Sequence, residues 1–407
     1  MSRTDQHHGI VGAARLALIA LSTALITAVP SALTANAADC REVHLTDAST
    51  GAVLRGIEDL VWHAPSERIL LSAHDRWADE DADEPVANGI YAISFPRLKR
   101  EFIEVSRPID LPVPNLTELF QEGQVLHPHG FTLWEPELPK AGFLDQRIGK
   151  QTGRLMVINH REMGVARRDD GTAGTSIEVF FVAPSGALDH EGTYSHPDIC
   201  AANDLDALDE NTAIVSLDRG ACGGIRAFFE LLLGQERSRI AMVDLTRADA
   251  PEILDDRMAF ANGIHIDHGE RPTVYVAETQ ANRIRAYDLV DGRLKRPART
   301  IPVPGGPDNL DMDADGNLLT AVHPDTMDLY FYMRKWPFFS SAPTRLISLD
   351  TDRPDDGCSL LHDDPDGDPV SGATGVLRID GMLIAGSVTD DGLLLCRAPA
   401  RAAACAE

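Results

Sequence analysis

Residues 305–312 read Gly305-Gly306-Pro307-Asp308-Asn309-Leu310-Asp311-Met312, and the fold follows from how this stretch recurs. A Gly-Gly-Pro turn precedes an adjacent carboxylate and carboxamide, which open a run alternating between apolar and polar side chains as a β-strand does. The order is a ligand-type polar residue, then Asp, Asn or Gly, then a large apolar residue. It returns at Glu58-Asp59-Leu60, His129-Gly130-Phe131, Asn203-Asp204-Leu205, Asn262-Gly263-Ile264 and Thr374-Gly375-Val376. The apolar members fall at 60, 131, 205, 264, 310 and 376. Six such units predict an all-β ring: a six-bladed β-propeller whose sheets each send one polar residue to a shared central channel.

Outward from these units the chain keeps a strand–turn rhythm. Runs at 69–72, 89–93, 154–158, 177–182, 239–244, 273–278 and 283–287 read as strands, as do 318–322, 329–332, 345–349, 383–388 and 393–396. The one predicted helix is Ile225 to Leu233, which follows Gly223-Gly224 and ends at Gly234. Inserted between propeller strands, it reads either as a short helical lid over the channel or as a helix packed on an ordinary apolar patch. Asp311-Met312-Asp313-Ala314-Asp315-Gly316 resembles the start of a calcium loop, but Val322 stands where a bidentate Glu is required. A hairpin turn accounts for it. Asn115-Leu116-Thr117 is a glycosylation tripeptide that carries no weight here.

The chain has 407 residues, 43% of them hydrophobic, and a net charge of -26. That field repels nucleic acid and anionic membrane and attracts cations, so neither is an expected partner. Arg3 and Arg15, the apolar run Leu16 to Val29 and the small-residue site Ala35-Asn36-Ala37 read as a signal peptide over 1–37. The apolar run is shorter than the ~20 residues that span a bilayer. Residues 38–407 then form one exported propeller domain, periplasmic or secreted, with no integral membrane segment after cleavage. Six cysteines at 40, 200, 222, 358, 396 and 405 have no zinc-type spacing, and export favours disulfides. Cys40 and Cys396 flank the repeats, and joining them would staple the first strand to the last. Cys200 with Cys222 is plausible; spacing leaves the other pairs open.

The repeats supply Glu58, Asp59, His129, Asn203, Asp204, Asn262, Asp308 and Asn309. Oxygen donors dominate, which suits a hard cation such as Ca²⁺ over zinc or copper. Carboxamides with few carboxylates leave the ion electron-poor, which favours Lewis-acid chemistry.

In these residues the chain resembles the paraoxonases, calcium-dependent arylesterase/lactonases related to the gluconolactonase-like and strictosidine-synthase-like propellers. The resemblance is carried by Gly56-Ile57-Glu58-Asp59-Leu60, Pro128-His129-Gly130, Val157-Ile158-Asn159-His160, Asn203-Asp204-Leu205, Phe260-Ala261-Asn262-Gly263-Ile264, Tyr275-Val276-Ala277-Glu278, Asp308-Asn309 and His323-Pro324. It implies a catalytic Ca²⁺ held by Glu58, Asn203, Asn262, Asp308 and Asn309, and a structural Ca²⁺ held by Asp59, Asp204 and the Phe131 carbonyl. Neighbouring strand residues point opposite ways, so adjacent polar pairs can serve two ions. It further implies a dyad in which His129 deprotonates water and His160 relays the proton, with Asp308 competing as base or nucleophile. The Cys40–Cys396 staple also fits the family.

The chain departs from the family in its loops at 161–176 and 335–343, in His127 before Pro128, and in the loosely aligned helix after Asp218. Phe260 and Tyr330 are the only rim residues carried over as substrate contacts. The expected reaction is hydrolysis of lactones and aryl esters by a monomer or weak oligomer. Organophosphate hydrolysis on the same ion and a non-catalytic calcium-stabilised binding propeller are the competing readings.

Overall fold

The computed structural model describes residues 39–78, 85–104, 108–118, 120, 126–136, 153–353 and 357–405. The signal-peptide segment 1–37 lies outside the described residues. Six antiparallel sheets form a six-bladed β-propeller. Their innermost strands are Ile57–His63, Pro128–Trp134, Ala202–Ala207, Ala261–Asp267, Gly306–Met312 and Ala373–Ile379, for blades 1 to 6 in chain order. Each packs against the inner strand before and after it, and the first meets the sixth, so the ring closes. Radial repetition leaves only short strand edges, protected around the ring.

The apolar runs are explained by two-sided burial. Along the second strand of blade 1, Leu70 enters the seam with blade 2, whereas Ile69 and Leu71 enter the seam with blade 6. Six apolar clusters result, one per interface between neighbouring blades. A strand with period two therefore looks continuously hydrophobic, because both faces are covered.

The ring is fastened by its termini. Cys40–Asp47 pairs antiparallel with Leu393–Arg397, with Cys40 directly opposite Cys396, and a disulfide joins them. Ile109–Val113 adds a parallel strand outside Cys40–Asp47, which leaves blade 1 with three strands. Two further disulfides, Cys200–Cys222 and Cys358–Cys405, tie local excursions.

Three α-helices occur among the described residues: α1 (Phe95–Glu104), α2 (Gly224–Leu232) and α3 (Thr326–Met333). The predicted helix is α2. The strand expected at 329–332 is instead part of α3. Asp325 caps that helix by accepting from the amides of Met327 and Asp328, and this local cap overrides the β preference of Leu329-Tyr330-Phe331-Tyr332. Helix α1 has no counterpart among the elements expected from sequence; it buries Phe95, Leu98 and Phe102 at helical spacing. No helix among the described residues is long and apolar enough to cross a membrane. The tripeptide at Asn115 is tied inward, its side chain accepting from Thr117 and donating to Tyr91 Oη.

Candidate active site

Every inner strand carries a bulge, and each bulge falls on the repeated polar residue: between Ile57 and Asp59, Pro128 and Phe131, Ala202 and Leu205, Ala261 and Ile264, Pro307 and Leu310, and Ala373 and Val376. An extra residue bends the strand and re-aims its side chains. Glu58, His129, Asn203, Asn262, Asp308 and Thr374 sit at these six bulges. All six are buried. Asn309 is buried with them and donates from Nδ2 to the Glu58 carbonyl at 3.0 Å, as Thr374 Oγ1 does at 2.6 Å. Blades 5 and 6 thus both bond to the same peptide of blade 1.

Two glycines make this convergence possible. A Cβ on Gly130 would overlap Asp204 Oδ1 and lie 2.7 Å from the Asn203 carbonyl; one on Gly263 would lie 2.5 Å from Asn309 Cα. The Asp204 carboxylate of blade 3 and the Asp308–Leu310 backbone of blade 5 occupy space that blades 2 and 4 leave by lacking a side chain.

The expected metal ligands have telling partners. Asn203 Oδ1 and Asn262 Oδ1 are buried acceptors with no hydrogen-bond partner among the described residues. An orphaned buried carbonyl oxygen is costly unless something electropositive meets it. Asn262 Nδ2 donates to Thr279 Oγ1 at 3.1 Å, which turns its oxygen the other way. Asp308 receives His323 Nε2 on Oδ2 at 2.8 Å. Two unpartnered amide oxygens beside a buried aspartate and glutamate are a donor set that fits a hard divalent cation.

The second expected set lies on the other face of the bulges. Asp59 accepts from the Leu60 and Phe131 amides at 2.8 and 3.1 Å, and Asp204 accepts from those of Leu205 and Ile264 at 2.8 and 2.9 Å. Blade 1 is thereby stitched to blade 2 and blade 3 to blade 4. The Phe131 peptide meets Asp59 through its N–H. Burial and mutual repulsion push both carboxyls above their ordinary range. Burial likewise raises Asp311 to about 6. Carboxylates gathered in this way call for protons or a cation, which the Asp59–Asp204 pair fits.

The two dyad histidines are neighbours, His129 and His160 meeting edge to face with centroids 4.9 Å apart. Burial, reinforced by the positive field of His129, His74 and Arg76, keeps His160 neutral far below the usual histidine range; its Nδ1 is 3.2 Å from Thr175 Oγ1. His129 Nδ1 lies 2.9 Å from Glu58 Oε2 and 2.7 Å from Arg76 Nη2.

Arg76 carried no sequence signal, yet its guanidinium bonds Glu58, His129 and the Val388 carbonyl. Against the desolvation of its burial, Glu58 is held well below the usual carboxylate range by Arg76 and His129. His74 and His127 stack with centroids 4.9 Å apart beside it. The loop after a second strand varies freely in length, so nothing in the repeat pattern marked Arg76 or His74. His323 was marked by its motif, but not as the partner of Asp308.

Inner strands begin, and second strands end, at the level of the bulges. The insertions after the second strands of blades 3 and 5, α2 and α3, therefore emerge at the site's end of the ring. Only Ala227 and Glu230 of α2 are buried, while Ile225, Phe228, Phe229, Leu232 and Leu233 are exposed. It does not pack its apolar face onto a hydrophobic patch. Trp77 Nε1 donates to the Met333 carbonyl at 2.9 Å, linking the Arg76 loop to α3. Tyr330 sits on α3, edge-on to Phe331. Phe260 holds a left-handed φ of 60° just before the blade 4 bulge and lines a small cleft with Asp218, Glu230 and Gln280.

The closed six-bladed ring defines the chain as a β-propeller. Residues 150–397 match the family model for arylesterases, and the chain belongs to that family, an esterase-type group. No curated protein matches the chain. Among solved structures it is similar to a gluconolactonase from Xanthomonas campestris, with 16% identity, TM-score 0.46, and 89% of this chain and 97% of that one covered. A putative gluconolactonase aligns at 15% identity and TM-score 0.42 over 90% and 93% of the two chains. A virginiamycin B lyase from Staphylococcus aureus aligns at 9% and 0.41 over 88% and 98%.

Proposed function

We propose that this protein is a calcium-dependent hydrolase of lactones and aryl esters. The observation that carries the reading is the pair of unpartnered buried oxygens, Asn203 Oδ1 and Asn262 Oδ1, at the level of Glu58, Asp308 and Asn309. These five would hold the catalytic ion, and Asp59, Asp204 and the Phe131 peptide a structural one. A bound Ca²⁺ there supplies Lewis-acid polarisation of a carbonyl and stabilisation of negative charge on its oxygen.

The remaining chemistry belongs to the side chains. His129 is the base that takes a proton from water, and neutral His160, 4.9 Å away, receives it. His129 Nδ1 lies between a donor, Arg76 Nη2, and an acceptor, the Glu58 carboxylate, so these contacts hold the ring in place without choosing its tautomer. Asp308, oriented by His323 as an imidazole–carboxylate pair, is the alternative base.

The test is turnover of a panel of lactones, phenyl esters and organophosphates with and without chelator. Chelator-sensitive hydrolysis of lactone or phenyl ester supports the proposal. Turnover of organophosphates alone would make the protein a phosphotriesterase, and calcium-dependent melting without any turnover would make it a binding propeller.

A further inference from the structure

Propeller blades splay outward, and the crevices between them are ordinarily sealed by apolar side chains. The crevice between the outer strands of blades 3 and 4 is different. It is a cleft of about 680 Å³ whose walls include Arg257, Arg283, Arg285 and Arg296 with Asp255 and Glu236. The outer strand of blade 3, Glu252–Met258, is irregular at two points in its pairing with Ser238–Asp244, which bends it away from the neighbouring blade.

The arginines are of two kinds. Arg283 and Arg285 project from one face of a blade 4 strand and clasp the fully buried Glu278 carboxylate. Arg285 also donates to the Arg257 carbonyl at 2.6 Å. Their planar heads are thereby fixed before any ligand arrives. Arg296 reaches only Asp255, at 3.5 Å, and the Arg257 side chain pairs with no carboxylate among the described residues. Four guanidiniums therefore face three carboxylates in one crevice of a chain whose net charge is -26. Folding does not require this surplus, since like charges in one crevice repel.

We infer that this cleft is a binding site, separate from the channel, for a small soluble organic phosphate that carries hydroxyl groups. Guanidinium forks match phosphate oxygens in pairs. Asp255 and Glu236 offer acceptors for hydroxyl donors, and the volume lies within the range of ligand sites. The acidity of the whole chain argues against an anionic membrane as the source of the phosphate.

The test is calorimetric titration of the full chain with pyrophosphate and with glycerol 3-phosphate, at constant ionic strength, against the double variant Arg257→Ala/Arg296→Ala. Both arginines lie outside the Glu278 clasp, so the variant should keep the parent's melting temperature without anion, and Arg257→Lys/Arg296→Lys serves as a second variant with the charge retained. Binding in the parent that weakens about tenfold or more in the Ala variant supports the site. No binding of either phosphate, equal binding by parent and Ala variant, or binding confined to phosphatidic acid vesicles would each overturn it.

Discussion

Gly130 and Asp204 share one volume: a Cβ on Gly130, in blade 2, would overlap the Oδ1 of Asp204, in blade 3. That carboxylate accepts two backbone amides, one from its own bulge and one from blade 4. Gly263 instead abuts the backbone of Asp308 to Leu310 in blade 5. At both positions a glycine lets the neighbouring blade approach more closely than a side chain would allow.

Gly130→Ala should destabilise the fold by about 1–3 kcal/mol, since neither the neighbouring backbone nor a doubly bonded carboxylate can retreat. Gly192→Ala, at a strand position with open space around it, should be nearly neutral. Urea unfolding of both variants decides it; equal midpoints would mean the hub yields more easily than its contacts imply.

Calcium should raise the melting temperature, by the equivalent of about 2.7 kcal/mol at a hundredfold excess over Kd, and chelation should reverse this and abolish turnover. Asn203 Oδ1 has no hydrogen-bond partner among the described residues. Asn203→Ala should therefore cost little in calcium-free buffer while removing most of the calcium-dependent gain. A variant that keeps the full gain would exclude Asn203 as a ligand.

Replacing His129 or His160 by Gln should cut turnover by about 10²–10⁴-fold with the calcium-dependent shift in melting retained. If both single variants stay near the parent rate, the base is Asp308, and His323→Phe, which removes its 2.8 Å partner, should then show the loss.

Glu178 is the acid-sensitive strut of blade 2. Against the desolvation of burial, hydrogen bonds from Ser176 and Thr193 and the charge of Arg161 hold its carboxyl below the ordinary 4.5. A folded value below the unfolded one gives stability that is complete above about pH 4.5 and is lost as pH falls through the lower folded value. Glu178→Gln should cost about 1–3 kcal/mol at pH 7, and the difference should shrink as pH falls from about 4.5 toward the lower folded value. A gap that persists undiminished at pH 3 would show that Glu178 acts through shape alone.

Breaking Cys40–Cys396 by paired Ser substitutions should cost on the order of 4 kcal/mol, more than breaking Cys200–Cys222, because it closes 356 residues against 22. Thermal unfolding of the two paired variants gives the order; the reverse order would locate the stabilising strain elsewhere.

Much of the architecture was readable because strands and bulges repeat. The six polar–small–apolar units mark the six inner strands, and the order Asp308-Asn309-Leu310 mirrors Asn203-Asp204-Leu205. Short helices were harder. In α3 an aromatic run with β preference is overruled by the Asp325 cap, and in α1 a polar face around Leu98 and Phe102 hides within a strand-rich region.

The residues by themselves determined the ring, its closing disulfide and the oxygen-rich character of the hub, since period-two burial and recurrent polar residues are local properties of the chain. Only the tertiary structure decided that Arg76 stands between Glu58 and His129, that His323 orients Asp308, and that Gly130 makes way for Asp204. Each of those facts joins residues from different strands, loops or blades. Spacing along the chain says nothing about which side chains meet where six sheets converge.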